Sequence, residues 1–144
     1  MNPQLQTMSD VLSTAISLQQ LVSDLVENSL PAASHNNTLV LNEVRQGIAL
    51  GSSTQRAVDV MNELLFTIVV NSRNGDIHIT ADRYNDVVTL EIQERNNYNG
   101  YALAYSVSSM ETDAAMLGGH ITIKDSSKKI ATILFSFPDN LQAA

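Results

Sequence analysis

The hydrophobic period changes at Asp76, and this change constrains the fold more than any other feature. Before it, Ala57, Val58, Met61, Leu64, Leu65, Ile68 and Val69 recur at helical spacing along one face. After it, Ile77, Ile79 and Ala81 alternate with His78 and Thr80. A turn at Asn85–Asp86 follows, and Val88, Leu90 and Ile92 mark a second strand. A chain with both periods in adjoining segments is neither all-helical nor all-β. It must lay helices on a sheet.

The N-terminal region predicts a long helix. Asn2 can cap it, and Pro3 suits a first position whose N–H has no helical partner. Leu5, Met8, Leu12, Ala15, Ile16, Val22, Leu25 and Val26 form one apolar row, widened by Val11, Leu18 and Leu21. Pro31 is expected to end this helix, because the residue before a proline avoids helical geometry. The stripe is too wide for a lone solvated helix. Apolar area of this extent marks a partner surface, and a twofold contact would bury two copies of it. The expectation is a homodimer held by residues 3–30, with Leu18, Val22 and Leu25 central. The chain accordingly divides into an amphipathic N-terminal helix, 1–31, and a second unit, 32–144.

Within that unit, Pro31 to Asn37 reads as a polar loop, Thr38 to Val44 as a short strand and Gly47 to Ser53 as a turn. Ser53 or Thr54 can cap the next helix, which closes near Asn71–Gly75. The stretch from Asn96 to Gly100 has no periodicity. A third helix is predicted from Tyr101 to Leu117, with Leu103, Val107, Met110, Ala114 and Leu117 on one face. Gly118–Gly119 ends it, since glycine adopts the left-handed cap conformation without strain. Ile121 and Ile123 mark a strand, Asp125–Lys129 a turn, and Ile130–Phe137 the closing strand before Pro138. The order α, β, α, β, β, α, β, β predicts a two-layer α+β sandwich. Its sheet is mixed but mostly antiparallel, and its helices lie on one face.

Composition excludes several functions. The chain has 144 residues, 44% hydrophobic, which suits one ordinary core. Eight Lys+Arg stand against 15 Asp+Glu, a net charge of -7. The first cation is Arg45 and the others are scattered, so the basic footprint of a nucleic-acid binder is missing. With no cysteine there is no disulfide, thiolate metal site or thiol nucleophile. Neither a membrane span nor a signal peptide is visible, and a soluble cytoplasmic protein is expected. His35 falls in a loop, while His78 and His120 fall on strands between inward isoleucines. They read as exposed strand residues rather than metal ligands. No Gly-x-Ser-x-Gly occurs, and Ser106, Ser108, Ser109, Glu111 and Asp113 read as solvated helix surface.

Three stretches carry a resemblance. Leu117-Gly118-Gly119-His120-Ile121-Thr122-Ile123 leads to Ala131-Thr132-Ile133-Leu134-Phe135-Ser136-Phe137-Pro138. Glu63-Leu64-Leu65-Phe66-Thr67-Ile68-Val69-Val70-Asn71-Ser72 lies on the middle helix. Val88-Thr89-Leu90-Glu91-Ile92-Gln93-Glu94-Arg95-Asn96 runs along a strand into a loop. Together, over about Thr38 to Pro138, they resemble the ATP-binding domain of histidine kinases and the wider GHKL ATPases.

The resemblance implies a nucleotide site on Glu63, Thr67, Glu94, Gly100 and Thr132. It also implies departures from the family pattern. Thr67 stands where an asparagine reaches Mg²⁺, and a hydroxyl is a weaker ligand than a carbonyl oxygen. Val70 stands where a lysine meets phosphate, and Glu94 where an aspartate accepts the adenine amino group. The glycines after that acid are replaced by Asn96 and Tyr98, the lid is nearly absent, and Gly100-Tyr101-Ala102 remains of the phosphate cradle. Thr132 aligns with a threonine on the adenine side. The expectation is a stand-alone, non-catalytic signalling module without cofactor, with Tyr98 and Tyr101 filling the former pocket. Its partners would be a second copy and a kinase or response regulator. The residues around nucleotide leave one alternative, a divergent ATPase or kinase domain that binds ATP and Mg²⁺ in an altered way.

Overall fold

The computed structural model describes residues 16–51 and 55–140. The elements in chain order are β1 (Ile16–Ser17), α1 (Leu18–His35), β2 (Leu39–Asn42), β3 (Ala49–Leu50), α2 (Gln55–Val70), β4 (Asp76–Tyr84) and β5 (Val87–Glu94). They are followed by α3 (Gly100–Ser108), α4 (Glu111–Met116), β6 (His120–Lys124) and β7 (Ala131–Pro138). The main sheet has the order β2-β4-β5-β7-β6. β2 runs parallel to β4 and the remaining pairs are antiparallel. The inward residues Ile77, Ile79, Leu90, Ile92, Ile133, Phe135 and Phe137 meet Val22, Met61, Leu64, Ile68, Leu103 and Val107 from the helices. This is the expected two-layer α+β sandwich, with strand alternation deciding which side chains face the helices. Gly118, at φ +81, ends the helical segment as its sequence position predicts.

The N-terminal expectations need correction. Residues 16 and 17 are extended, and β1 pairs with β3 through Ile16↔Leu50 and Ser17↔Ala49. α1 begins only at Leu18, capped by Ser17, whose side chain accepts from the Gln20 N–H at 3.3 Å. The proposed start at Asn2–Pro3 and the residues Leu5, Met8, Val11, Leu12 and Ala15 lie outside the described residues, as do Ser53 and Thr54.

Pro31 does not stop α1, which continues to His35. An internal proline forfeits one ladder hydrogen bond, at about 3 kcal/mol. Packing offsets this. Ser29 and Ala33 are buried on either side of it, and the Asn36 side-chain amide donates to the Val69 carbonyl of α2 at 3.0 Å. The boundary drawn at residue 31 therefore falls inside a helix, and His35 belongs to its last turn rather than to a loop.

Leu18, Val22 and Leu25 are buried in the chain's own core. The part of the apolar row that lies in α1 is thus covered intramolecularly by α2 and the sheet, and these three residues offer no dimer surface. The predicted helix 101–117 is also two helices, broken at Ser109–Met110. Ser108 and Ser109 turn their hydroxyls back onto the carbonyls of Tyr105 and Ser106, at 2.8 and 2.7 Å. Such local bonding competes with the helical ladder. β3 occupies part of the segment expected to be a plain turn.

A buried ion pair ties the end of β7 to β3 and β4. The Arg83 guanidinium donates to the Asp139 carboxylate, to the Asp139 carbonyl at 2.8 Å and to the Ala49 carbonyl at 2.8 Å. The Asp139 carboxylate also accepts from the Gly51 N–H at 2.9 Å.

On the opposite sheet face, Arg45 donates to Asp82 at 2.7 Å. This bond, with help from the Arg83 backbone N–H and the Arg45 charge, holds the Asp82 carboxyl below its usual range. A lowered carboxylate pKa stabilises the fold at pH above the ordinary carboxylate value. That contribution is lost as pH falls through the lowered value. Because the group is fully exposed, only a small effect is expected. Arg45→Gln should move the Asp82 midpoint upward in an NMR titration. An unchanged midpoint would show that the pair does not form in solution.

Candidate functional site

Glu94 ends β5 and is 2% exposed. Its carboxylate accepts three hydrogen bonds from the protein. The Ser72 hydroxyl donates to Oε2 at 2.6 Å, and the backbone N–H groups of Asp76 and Asn96 donate to Oε1 at 2.8 and 2.9 Å. A carboxylate offers about four acceptor positions. At Gly75 an added Cβ would come within 2.5 Å of Oε2. Gly75 is needed for this close approach, and its own N–H donates to the Thr38 hydroxyl at 3.2 Å. The acid thus fastens the α2–β4 turn to the end of β5.

Of the other residues expected around a nucleotide, Thr132 is set apart from Glu94 by the sheet. In the β5–β7 ladder Glu94 stands opposite Ala131, while Thr132 stands opposite Gln93. Directly opposed residues share a face, so Thr132 lies on the other side of the sheet from Glu94. The alignment that placed Thr132 on the adenine side is corrected accordingly. Counting back in twos from the inward Phe137 and Phe135 reaches Ile133 and Ala131, so the signal was present in the alternation.

Gly100 begins α3, and an added Cβ would meet the Ser126 carbonyl at 1.6 Å. Its small size serves close packing against the β6–β7 turn, which the Asn97 amide also grips through Ser126 and Lys128. Thr67 is half-buried on α2 and Glu63 is exposed one turn earlier. Val70, at the lysine position, is exposed. Tyr98 and Tyr101 do not fill a pocket. They are 56% and 91% exposed, and the Arg73 guanidinium lies 5.9 Å from the Tyr98 ring centre.

A cleft of about 290 Å³ separates α2 from α4, lined by Arg56, Asp59, Val60, Glu63, Asp113, Met116 and Leu117. Glu63 therefore lines this cleft, together with Asp59 and Asp113. His78, on the outer sheet face, lies between Glu43 at 2.6 Å and Asp76 at 2.8 Å. It is more enclosed than an exposed strand residue. Among the described residues no group of three or more histidines and acids is placed to hold a metal.

No family model and no curated protein matches the sequence. Solved structures do match. Acinetobacter baumannii histidine kinase AdeS superposes with a TM-score of 0.67 at 12% identity, covering 94% of this chain and 75% of that one. The catalytic domain of histidine kinase ThkA gives 0.65 at 15% identity, over 90% of this chain and 97% of that one. This is the histidine-kinase catalytic-domain fold. A third structure with it, ThkA in complex with the response regulator TrrA, gives 0.61 at 14% identity over 98% of this chain and 50% of that one. In the histidine-kinase fold of this chain, β1 and α1 are integral parts of the sandwich, which is why the apolar row of α1 is covered. No described helix is long and apolar enough to cross a membrane.

Proposed function

We propose that this chain is a signalling interaction module built on the histidine-kinase ATP-binding fold, with its nucleotide contacts replaced. The engagement of Glu94 carries the reading. A carboxylate that already accepts from Ser72, Asp76 and Asn96 is not free for an adenine amino group. Ala131 beside it and Val70 on α2 offer neither a hydroxyl nor a cation. The residues present do not fit Mg²⁺–nucleotide as the resembling kinases hold it, and no catalytic step is derived through it. The complex of ThkA with a response regulator supports a signalling protein as partner, and the reading places that meeting in the cytoplasm.

Calorimetry with Mg-ADP and Mg-ATP tests this. No heat of binding is expected. A dissociation constant below roughly 100 µM, about -5.5 kcal/mol, would overturn the reading in favour of a divergent nucleotide-binding domain.

A further inference from the structure

The outer ridge of α2 carries a charge and polarity pattern that complements itself. Asp59 and Glu63 lie one helical turn apart near its start and line the α2–α4 cleft together with Asp113. Phe66 and Val70 follow at the same spacing and are 53% and 50% exposed. Just past the helix end stands Arg73, exposed, making no ion pair among the described residues and held over the Tyr98 ring. Beside this ridge α3, whose Leu103 and Val107 enter the core, turns Tyr101 and Tyr105 outward, 91% and 81% exposed. An acidic end, an apolar centre and a basic end thus succeed one another over about 20 Å, at 1.5 Å per residue.

We infer that this ridge is a homodimer surface on which a second copy of the chain docks antiparallel. A twofold contact brings the same patch against itself in reverse. Phe66 and Val70 of the two copies then meet at the centre. Arg73 of each faces the cleft of the other, where the three carboxylates Asp59, Glu63 and Asp113 outweigh the single cation Arg56, and the apolar walls Val60, Met116 and Leu117 suit the stem of a guanidinium. Tyrosine and arginine, residues enriched where partners bind, are exposed on the neighbouring α3 and just past the end of α2. A parallel arrangement would set like charges together in a chain of net charge -7. The inference rests on the interaction-module reading only for its biological sense. Its outcome and that of the nucleotide titration are independent.

Sedimentation equilibrium of the whole chain is the test. A dimer at tens of micromolar is expected, weakening as salt rises because its outer contacts are charged. Phe66→Asp and Val70→Asp should each give a monomer with an unchanged melting temperature. Since an aspartate at either position can disturb folding, a charge pair provides a second arm. Arg73→Glu should raise the dimer dissociation constant about tenfold, and adding Glu63→Lys should restore it. A monomer at hundreds of micromolar overturns the inference. So does a dimer indifferent to Phe66→Asp, or an Arg73→Glu loss that Glu63→Lys fails to recover.

Discussion

Asp139→Ala is expected to cost about 3–5 kcal/mol of folding stability, since it leaves a largely buried guanidinium without its counter-charge. The Arg83 and Asp139 side chains are 16% and 2% exposed. Arg83 is already under-satisfied, because its Nε is buried without a partner among the described residues. It would retain the carbonyls of Ala49, Asn85 and Asp139 but lose the only carboxylate it contacts among the described residues. The damage should spread, because this pair joins β3, β4 and the end of β7, which are distant in sequence. The melting temperature should fall by roughly 10–20 °C. Asp139→Asn, which keeps an acceptor for the Gly51 N–H, should lie between the wild type and Ala. A loss under about 1 kcal/mol for Ala would show that Arg83 escapes to solvent and that the clamp is not the tie described.

Glu94→Ala is the second large effect, expected near 3–4 kcal/mol. It deprives two backbone N–H groups and one hydroxyl of their acceptor, and each unsatisfied buried group costs about 1–3 kcal/mol. Glu94→Gln should cost about 1 kcal/mol. Its amide oxygen can keep both N–H bonds at the Oε1 position. Its NH₂ can donate to the Ser72 oxygen, leaving that hydroxyl free to donate to the Ile68 carbonyl, 2.8 Å away. Denaturant unfolding of both variants separates this role from a ligand role. A structural fastener predicts the order Gln above Ala in the absence of any added molecule. If Ala and Gln proved equally harmless without nucleotide, the hydrogen bonds of Glu94 would be irrelevant to the fold, and its availability for a ligand would reopen.

The misplaced site residues show where local pattern stops informing. Glu94 reads from the sequence as an acid at a strand end, and its alignment with a nucleotide-contacting aspartate is fair. What engages it comes from Ser72, Asp76 and Asn96, and only the packing of the α2–β4 turn against β5 brings the first two to it. Thr132 aligns with the family's threonine, but strand parity sets it on the face of the sheet away from Glu94. The acidic cleft joins Glu63 to Asp113, fifty positions later, and no periodicity links them.

The sequence by itself determined the class of fold and the inner face of the strands. A period of two or of 3.6 states which side of an element is apolar, and Gly118–Gly119 states where a helix must end. The tertiary structure alone decided what covers each apolar side. Leu18, Val22 and Leu25 form an apolar row whether another subunit or their own sheet lies against it, and the periodicity is the same in both cases. Pro31 likewise carries a fixed local penalty, while its tolerance in α1 depends on contacts from α2, some thirty-five residues away. Local preferences are set by each residue's own backbone and side chain. Burial is a property of surfaces that meet only after the chain has folded.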